Sequence, residues 1–406
     1  MRIGMVLAEG SLPTDVRVTR EARALLAGGH RIFVLCLQMP GQPLKESWRG
    51  IEIERVKTLR QPFAATQKLL FYLLLRDLRW EAHLHDFARR HALEALHVHD
   101  LPRTASVLRV GRSLGLPVVL DVHEDWPAVL VDVNKWFRSW WIKRWFMGQR
   151  RWRAYEARCV RAVDRVVVVV DAFRERLVAS AGVPSTKFVV VGNTVDMAEF
   201  RSHPLDPSVT NAFPGKFVLL YIGTFGNPRR GVDLVIEAMP LILSQMPNAR
   251  LLVVGDGTMR RRWEALSHRL GVSQSVTFTG WQPHDRLPSY ISRADVCLAP
   301  HHYTANMDVA SPNKLFEYMA FGKPLVVSDL TAHRVLVDKT GAGLLFPPGN
   351  VDALVQAILK LQDPMLRATM GERAYKVVHT SYNWRVDSAR LLQLYDELAV
   401  GAKAER

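Results

Sequence analysis

The feature that most narrows the fold of this chain is an alternation. Short, nearly unbroken apolar runs recur along it, each followed by a longer amphipathic segment. RIGMVLA opens the series, and DVRVTREARALLAGGH follows as a helix closed by Gly28 and Gly29. RIFVLCL, ALHVHD, PVVLDVH and RVVVVV continue it. The pattern then restarts with FVLLYIG, ARLLVVGDG, VTFTG, VCLAP, PLVVSD and AGLLFP, with helical stretches between. A strand that is apolar at every residue is buried on both faces, so the pattern predicts parallel sheets covered by helices. The expected fold class is α/β, with two doubly wound Rossmann-like domains facing each other across a cleft. The first domain is expected over residues 1–200 and the second over 201–381, with a final helix at 382–400 packing back on the first. The Pro-, Asn- and Ser-rich stretch 193–216 reads as the linker. Ligands of such sheets lie beyond the carboxyl ends of the strands, which makes the cleft the expected site.

Charge adds a second constraint. Lys+Arg total 54 against 39 Asp+Glu in 406 residues, a net charge of +15. Residues 1–200 carry 31 of the bases against 21 acids, so the excess sits mainly in the first half. Such an excess suits an anionic membrane face, a polyphosphate ligand or nucleic acid. Cys36, Cys159 and Cys297 have no metal-ligand spacing and form no disulfide framework, which predicts a reducing compartment. The N-terminus lacks a secretory pattern and no apolar run reaches spanning length. The expected location is cytoplasmic, peripheral on the inner face of the membrane.

Four segments carry chemistry. In SPNKLFEYMAFGKPLVVSD, the residues Ser311, Pro312 and Asn313 read as a helix start and Gly322 as its stop. Free amides at a helix N-terminus bind phosphate. Lys314 opposes the helix dipole there unless an anion is present, and Glu317 lies one turn on. In YIGTFGNPRRGVDLVIEAM, Arg229 and Arg230 stand between a strand and a helix, a position suited to bidentate phosphate binding. In the first half, HVHDLP and DVHEDWP end strands and cluster His97, His99, Asp100, Asp121, His123, Glu124 and Asp125. A metal site and a polar wall that moves protons compete there, and the wall is favoured because no zinc spacing is met.

Residues 135–165 hold ten bases and five of the eleven tryptophans, Trp136, Trp140, Trp141, Trp145 and Trp152. Arg/Lys with Trp is the composition of a helix lying in a membrane interface. Nucleic-acid stacking and an inward-packed solvated helix are the rivals. KLLFYLLLR (68–76) is apolar on all faces, hence either core or in contact with lipid.

Taken together, PTDVRVTREARALLAGGH, HVHDLP, DVHEDWP, GNTVD, YIGTFGNPRRGVDLVIEAM, VVGDG, VTFTGW, ADVCLAP and SPNKLFEYMAFGKPLVVSD resemble family 4 of the GT-B-fold retaining glycosyltransferases, over nearly the whole length. SPNKLFEYMA resembles members that build bacterial surface polysaccharides. The resemblance implies a nucleoside diphosphate sugar donor, UDP before GDP, and a membrane- or lipid-linked glycan acceptor. A nucleotide-sugar 2-epimerase and a non-catalytic nucleotide-sugar binder are the alternatives. It implies catalytic roles for His123 and Glu317, the latter as second glutamate of the family's pair, holding the ribose. It implies donor contacts from Gly223, Thr224, Arg229, Arg230, Trp281, Asp308, Ser311, Asn313, Lys314 and Leu315, with Trp281 either stacked on the base or core. Asp15, Arg17, His99, Asp100 and Glu124 are expected on the acceptor side. No D-x-D occurs, so neither metal nor cofactor is expected. Nucleic acid is an unlikely partner on this reading, and an anionic membrane is expected to meet residues 135–165. Two departures stand out. Val309 replaces the first glutamate of the pair, and Thr224 stands where the family has an arginine.

Overall fold

The computed structural model describes residues 1–7, 10–12, 14–58, 63–136 and 148–404. It divides into two compact units, Met1–Gly192 with Asp387–Arg406, and Asn193–Val386. The first holds strands β1 (Arg2–Leu7), β2 (Arg31–Leu37), β3 (Lys45–Trp48), β4 (Ile51–Val56), β5 (Ala95–His99), β6 (Val118–Val122), β7 (Arg165–Val168) and β8 (Phe188–Val190). They form one sheet in the order β3-β4-β2-β1-β5-β6-β7-β8, parallel except for the β3–β4 hairpin. That hairpin was not read from the sequence. KESW alternates exposed and half-buried residues at a sheet edge, so it carries no apolar run to find.

The second unit holds β9 (Phe217–Ile222), β10 (Ala249–Val254), β11 (Val276–Phe278), β12 (Val296–Ala299), β13 (Leu325–Ser328) and β14 (Gly343–Phe346). The order is β11-β10-β9-β12-β13-β14, all parallel. Both faces of this sheet are covered. Leu219 and Tyr221 of β9 pack into one core with Val235, Met239 and Trp263, whereas Val218, Leu220 and Ile222 pack into the other with Leu315, Met319 and Val378. Successive side chains of a strand point to opposite faces, which is why the run FVLLYI has no polar position.

The stretch 193–216 is part of the second unit and not a free linker. Asp196 and Asp206 each cap a short helix, and Phe200 and Val209 are buried in the second core. The helices are too short to show a period, so the caps were the only sequence signal. The Trp-rich basic segment is also corrected in part. Trp152 is fully buried against Phe71, Tyr72 and Tyr155. Arg153 pairs with Asp125 and Glu156, and Arg161 donates to the Ala181 carbonyl. Trp152 is thus core of the first unit, and Arg153 and Arg161 are tied to partners within that unit. Residues 137–147, with Arg138, Trp140, Trp141, Lys143, Arg144 and Trp145, lie outside the described residues, as do the side chains of Lys135 and Trp136. Among the described residues no helix is long and apolar enough to cross a membrane.

Candidate active site

Two groups of side chains gather at strand carboxyl ends, one in each unit. In the first, pairing of β5 with β6 sets His99 opposite Asp121. Residues two apart on a strand share a face, which brings His97 beside His99 and His123 beside Asp121. The helix Val16–Ala27 supplies Arg17 and Glu21, one turn apart. The Arg17 guanidinium forks onto Asp121, Nε to Oδ2 at 3.0 Å and Nη2 to Oδ1 at 2.8 Å. Nη2 also lies 3.0 Å from Glu21 Oε1, and Nη1 donates to the Val191 carbonyl. His123 Nε2 meets Asp121 Oδ2 at 2.6 Å, and His99 Nδ1 meets the same oxygen at 3.2 Å. Tyr395, on the C-terminal helix, bonds His97 Nδ1 at 2.9 Å.

This group is balanced in charge. Burial alone would lower the His123 pKa, but Asp100 and Asp121 outweigh it and hold the imidazole up at about 10. It is therefore a cation at neutral pH, which corrects the reading of this wall as a proton-transfer surface. Burial, then Asp121, pushes the Glu21 carboxyl up to about 8, so it is mostly protonated at pH 7. Burial likewise raises Asp100 to about 6 against the pull of His123. Asp121 is buried too, yet Arg17 and His123 hold it well below the ordinary carboxylate range. Glu21, His97, His99 and Asp121 each bring a ligand atom within 4.8 Å of the others, as a metal site would. Here the Arg17 guanidinium already occupies the cation's place against both carboxylates. Asp100 takes a left-handed backbone, φ 65°, and its Oδ1 accepts the His123 amide. A non-glycine residue held there is strained, and such strain clusters at functional positions. Asp15 is the N-cap of its helix, accepting from the Val18 amide, and Glu124 is exposed.

The second group is unbalanced. The helix Asn313–Ala320 begins after Pro312, which is itself the N-cap and gives no side-chain bond. Of the three residues read as the helix start, Pro312 is thus the cap and Asn313 the first residue of the helix. Ser311 is buried and its carbonyl accepts from Asn193. The Leu315 amide is used by the Pro312 carbonyl and its side chain is core, so Leu315 does not offer the free donor expected of it. Lys314 is buried at 7% exposure, with Nζ 4.0 Å from the centre of the Tyr221 ring and no hydrogen-bond partner. Burial and then Arg230 push its pKa well below normal, with Glu317 pulling the other way.

Glycine is required at two places here. A Cβ on Gly223, φ 156°, would lie 3.2 Å from Lys314 Nζ and 3.0 Å from the Tyr221 hydroxyl. One on Gly231, φ 71°, would lie 1.6 Å from the Pro300 carbonyl. Gly231 thereby lets the turn Pro228–Arg230 close against the strand end, where the Arg229 carbonyl accepts from the His302 amide. Arg230 Nη2 reaches Thr224 Oγ1 at 3.5 Å.

Glu317 is buried with Oε1 3.0 Å from His284 Nε2. His284 was missed in the sequence, since it sits alone on a short turn with no motif around it. His301 and His333 are buried beside Lys314, ring centres 5.5 Å apart, with both His301 nitrogens and His333 Nε2 unpaired. Burial lowers both imidazoles, with Lys314 adding to the effect on each. Val309 is core. Asp308 spends both oxygens on Thr331, one on its amide and one on its hydroxyl, each at 2.9 Å. It caps the next helix and does not replace the missing carboxylate. Trp281 is 71% exposed, which removes the alternative that it belongs to the core.

Two family profiles match these regions, Glycosyltransferase Family 4 over residues 15–199 and Glycosyl transferases group 1 over 216–363. The chain belongs to the family 4, group 1 glycosyltransferases. Among its relatives, a phosphatidyl-myo-inositol mannosyltransferase of Mycolicibacterium smegmatis is 31% identical over 214 residues, 52% of each chain. The match thus spans about half the length of that relative. An alpha-D-kanosaminyltransferase of Streptomyces kanamyceticus is 22% identical over 72% of this chain and 73% of its own. The fold is that of GT-B glycosyltransferase structures. A sucrose-phosphate synthase from Thermosynechococcus elongatus superposes with TM-score 0.79 at 20% identity, covering 99% of this chain and 100% of its own. An Anabaena protein crystallised with UDP gives 0.74 at 15% identity, over 98% and 100%. In this family 4 chain the group 1 profile covers the unbalanced cluster and the family 4 profile covers the balanced one.

Proposed function

We propose that the chain transfers a glycosyl unit from a nucleoside diphosphate sugar to a membrane- or lipid-linked glycan acceptor, with retention at the anomeric carbon. The observation that carries the donor half is Lys314. A buried ammonium without a partner is costly unless an anion arrives, and a diphosphate is an anion of suitable charge. Arg230, Lys314 and the amides of Asn313 and Lys314 would gather the charge that builds on the leaving diphosphate. The transition state would be oxocarbenium-like. Positive side chains and amides would serve in place of a metal. Glu317, oriented by His284, would hold the ribose, and exposed Trp281 would stack on the base. The relatives crystallised with UDP and UDP-glucose support a uridine donor, and the mannosyltransferase relatives keep a guanosine donor in contention. The phosphatidyl-inositol substrate in one relative's name supports a lipid-linked acceptor.

In the first unit His123, held as a cation by Asp100 and Asp121, would keep a fixed positive charge and would not act as a base. The acceptor proton would pass to the leaving diphosphate on the same face. Incubation with UDP- and GDP-sugars should raise the melting temperature for the cognate donor by mass action. Glu317→Ala and Arg230→Ala should each abolish transfer while preserving the fold. Undiminished turnover in both variants would sink the assignment, and conversion of the donor to a new sugar nucleotide without acceptor would indicate an epimerase instead.

A further inference from the structure

A second cationic site lies in the first unit, away from the histidine cluster. A pocket of about 510 Å³ is lined by Arg76, Arg109, Arg112 and Arg158, with Leu74 and Leu108 among its apolar walls. No carboxylate lines it. Arg76 forks onto Glu81, whereas Arg109, Arg112 and Arg158 have no ion pair among the described residues. Arg158 lies instead over the Tyr155 ring. Leu74 joins this pocket to the helix Phe63–Leu74. That helix buries Phe71 but leaves Leu69, Leu70, Leu73 and Leu74 between 41% and 58% exposed, and Phe63 at 70%. Arg151 holds its last turn in place by donating to the carbonyls of Tyr72 and Leu73. A row of leucines in water beside unpaired guanidiniums is the arrangement of an interfacial helix with a phosphate site at its rim.

We propose that this pocket and helix form a docking site for an anionic phospholipid of a bilayer, the arginines taking the headgroup phosphate and the leucines entering the acyl boundary. Charge complementarity selects the occupant. Three guanidiniums without an ion pair among the described residues, and no carboxylate in the wall, match a phosphodiester, and the adjoining apolar face matches the chains that a soluble phosphate lacks. The inference extends the reading of a lipid-linked acceptor. Its test needs no turnover, so the two fail separately.

The test is flotation of the full chain with vesicles of phosphatidylcholine alone and of phosphatidylcholine with phosphatidylglycerol. Wild type should float mainly with the mixed vesicles. Each arginine near the surface is worth about a fivefold change in partition, so Arg109→Ser with Arg112→Ser should lose roughly 25-fold, and Arg→Lys at both should retain most of the binding. Leu70→Ser with Leu73→Ser should reduce flotation with both vesicle types. Both pairs are exposed, and an unchanged melting temperature would verify their folding. Equal flotation with and without phosphatidylglycerol, or wild-type flotation by either double variant, overturns the proposal. So does full release from vesicles by millimolar inorganic phosphate, which would make the pocket a site for soluble phosphate.

Discussion

The two strand-end clusters are built from the same residue types and behave oppositely. Around Asp121 each buried charge has its counter-charge: Arg17 and His123 are held by Asp121 and Asp100, and Glu21 keeps its proton. Around Lys314 the buried groups are that lysine, whose charged form burial and Arg230 disfavour, and two imidazoles, while Glu317 is turned to His284 and Asp308 to Thr331. A paired buried charge is framework, and its loss is felt as unfolding. An unpaired buried cation is a place for a ligand, and its loss is felt as weaker binding.

The sharpest break of that comparison is Asp121→Asn. It strands the Arg17 guanidinium and should cost about 3–5 kcal/mol in denaturant unfolding. A loss under 1 kcal/mol would mean the first cluster is not framework. Lys314→Met should do the reverse. Transfer should fall roughly 10²–10³-fold while the unliganded protein is as stable as wild type or more so. A Lys314→Met protein that binds nucleoside diphosphate normally would remove the anion site.

Dependence on pH sharpens the contrast. The Glu21 carboxyl rises from its unfolded value of 4.5 to about 8, so the folded state holds an extra proton between those values and stability falls as pH rises through that window. His123 is raised from 6.5 to about 10, so its stabilisation is complete below 6.5 and is lost as pH climbs to about 10. Unfolding free energy should therefore decline from pH 5 to pH 10. Glu21→Gln should flatten the first part of that decline, by at most about 1.4 kcal/mol per pH unit. Superimposable profiles for wild type and Glu21→Gln would show that Glu21 is already ionised in the fold. The smallest effect belongs to Trp281→Ala. An exposed ring should leave stability within about 0.5 kcal/mol while weakening nucleotide binding by an aromatic stacking contribution of about 1–3 kcal/mol. Unaltered affinity, measured by calorimetry, would leave Trp281 without a part in the site.

Much of this was legible in the chain. The runs FVLLYI and VVL are apolar because parallel strands are covered on both sides, and the ends of these runs and of ALHVH therefore marked Gly223, Asp121 and His99 in the sequence alone. The family motifs added Arg230, Lys314 and Glu317. What stayed hidden was direction and partnership. His123 looked like a proton carrier until Asp100 and Asp121 were found flanking it. Asp308 looked like a stand-in for the missing glutamate until both its oxygens were found on Thr331. Trp152 looked like part of a membrane face, and it is core.

The sequence by itself determined the class of fold, the strand ends that carry the chemistry and the family, since each depends on local periodicity and short motifs. Only the tertiary structure decided which buried charges are satisfied. Arg17 meets Asp121 across 104 positions, and His97 meets Tyr395 across 298. Such pairings depend on strand register and helix packing, which no local pattern encodes. They decide the sign of each pKa shift, and with it whether a buried group holds the protein together or waits for a ligand.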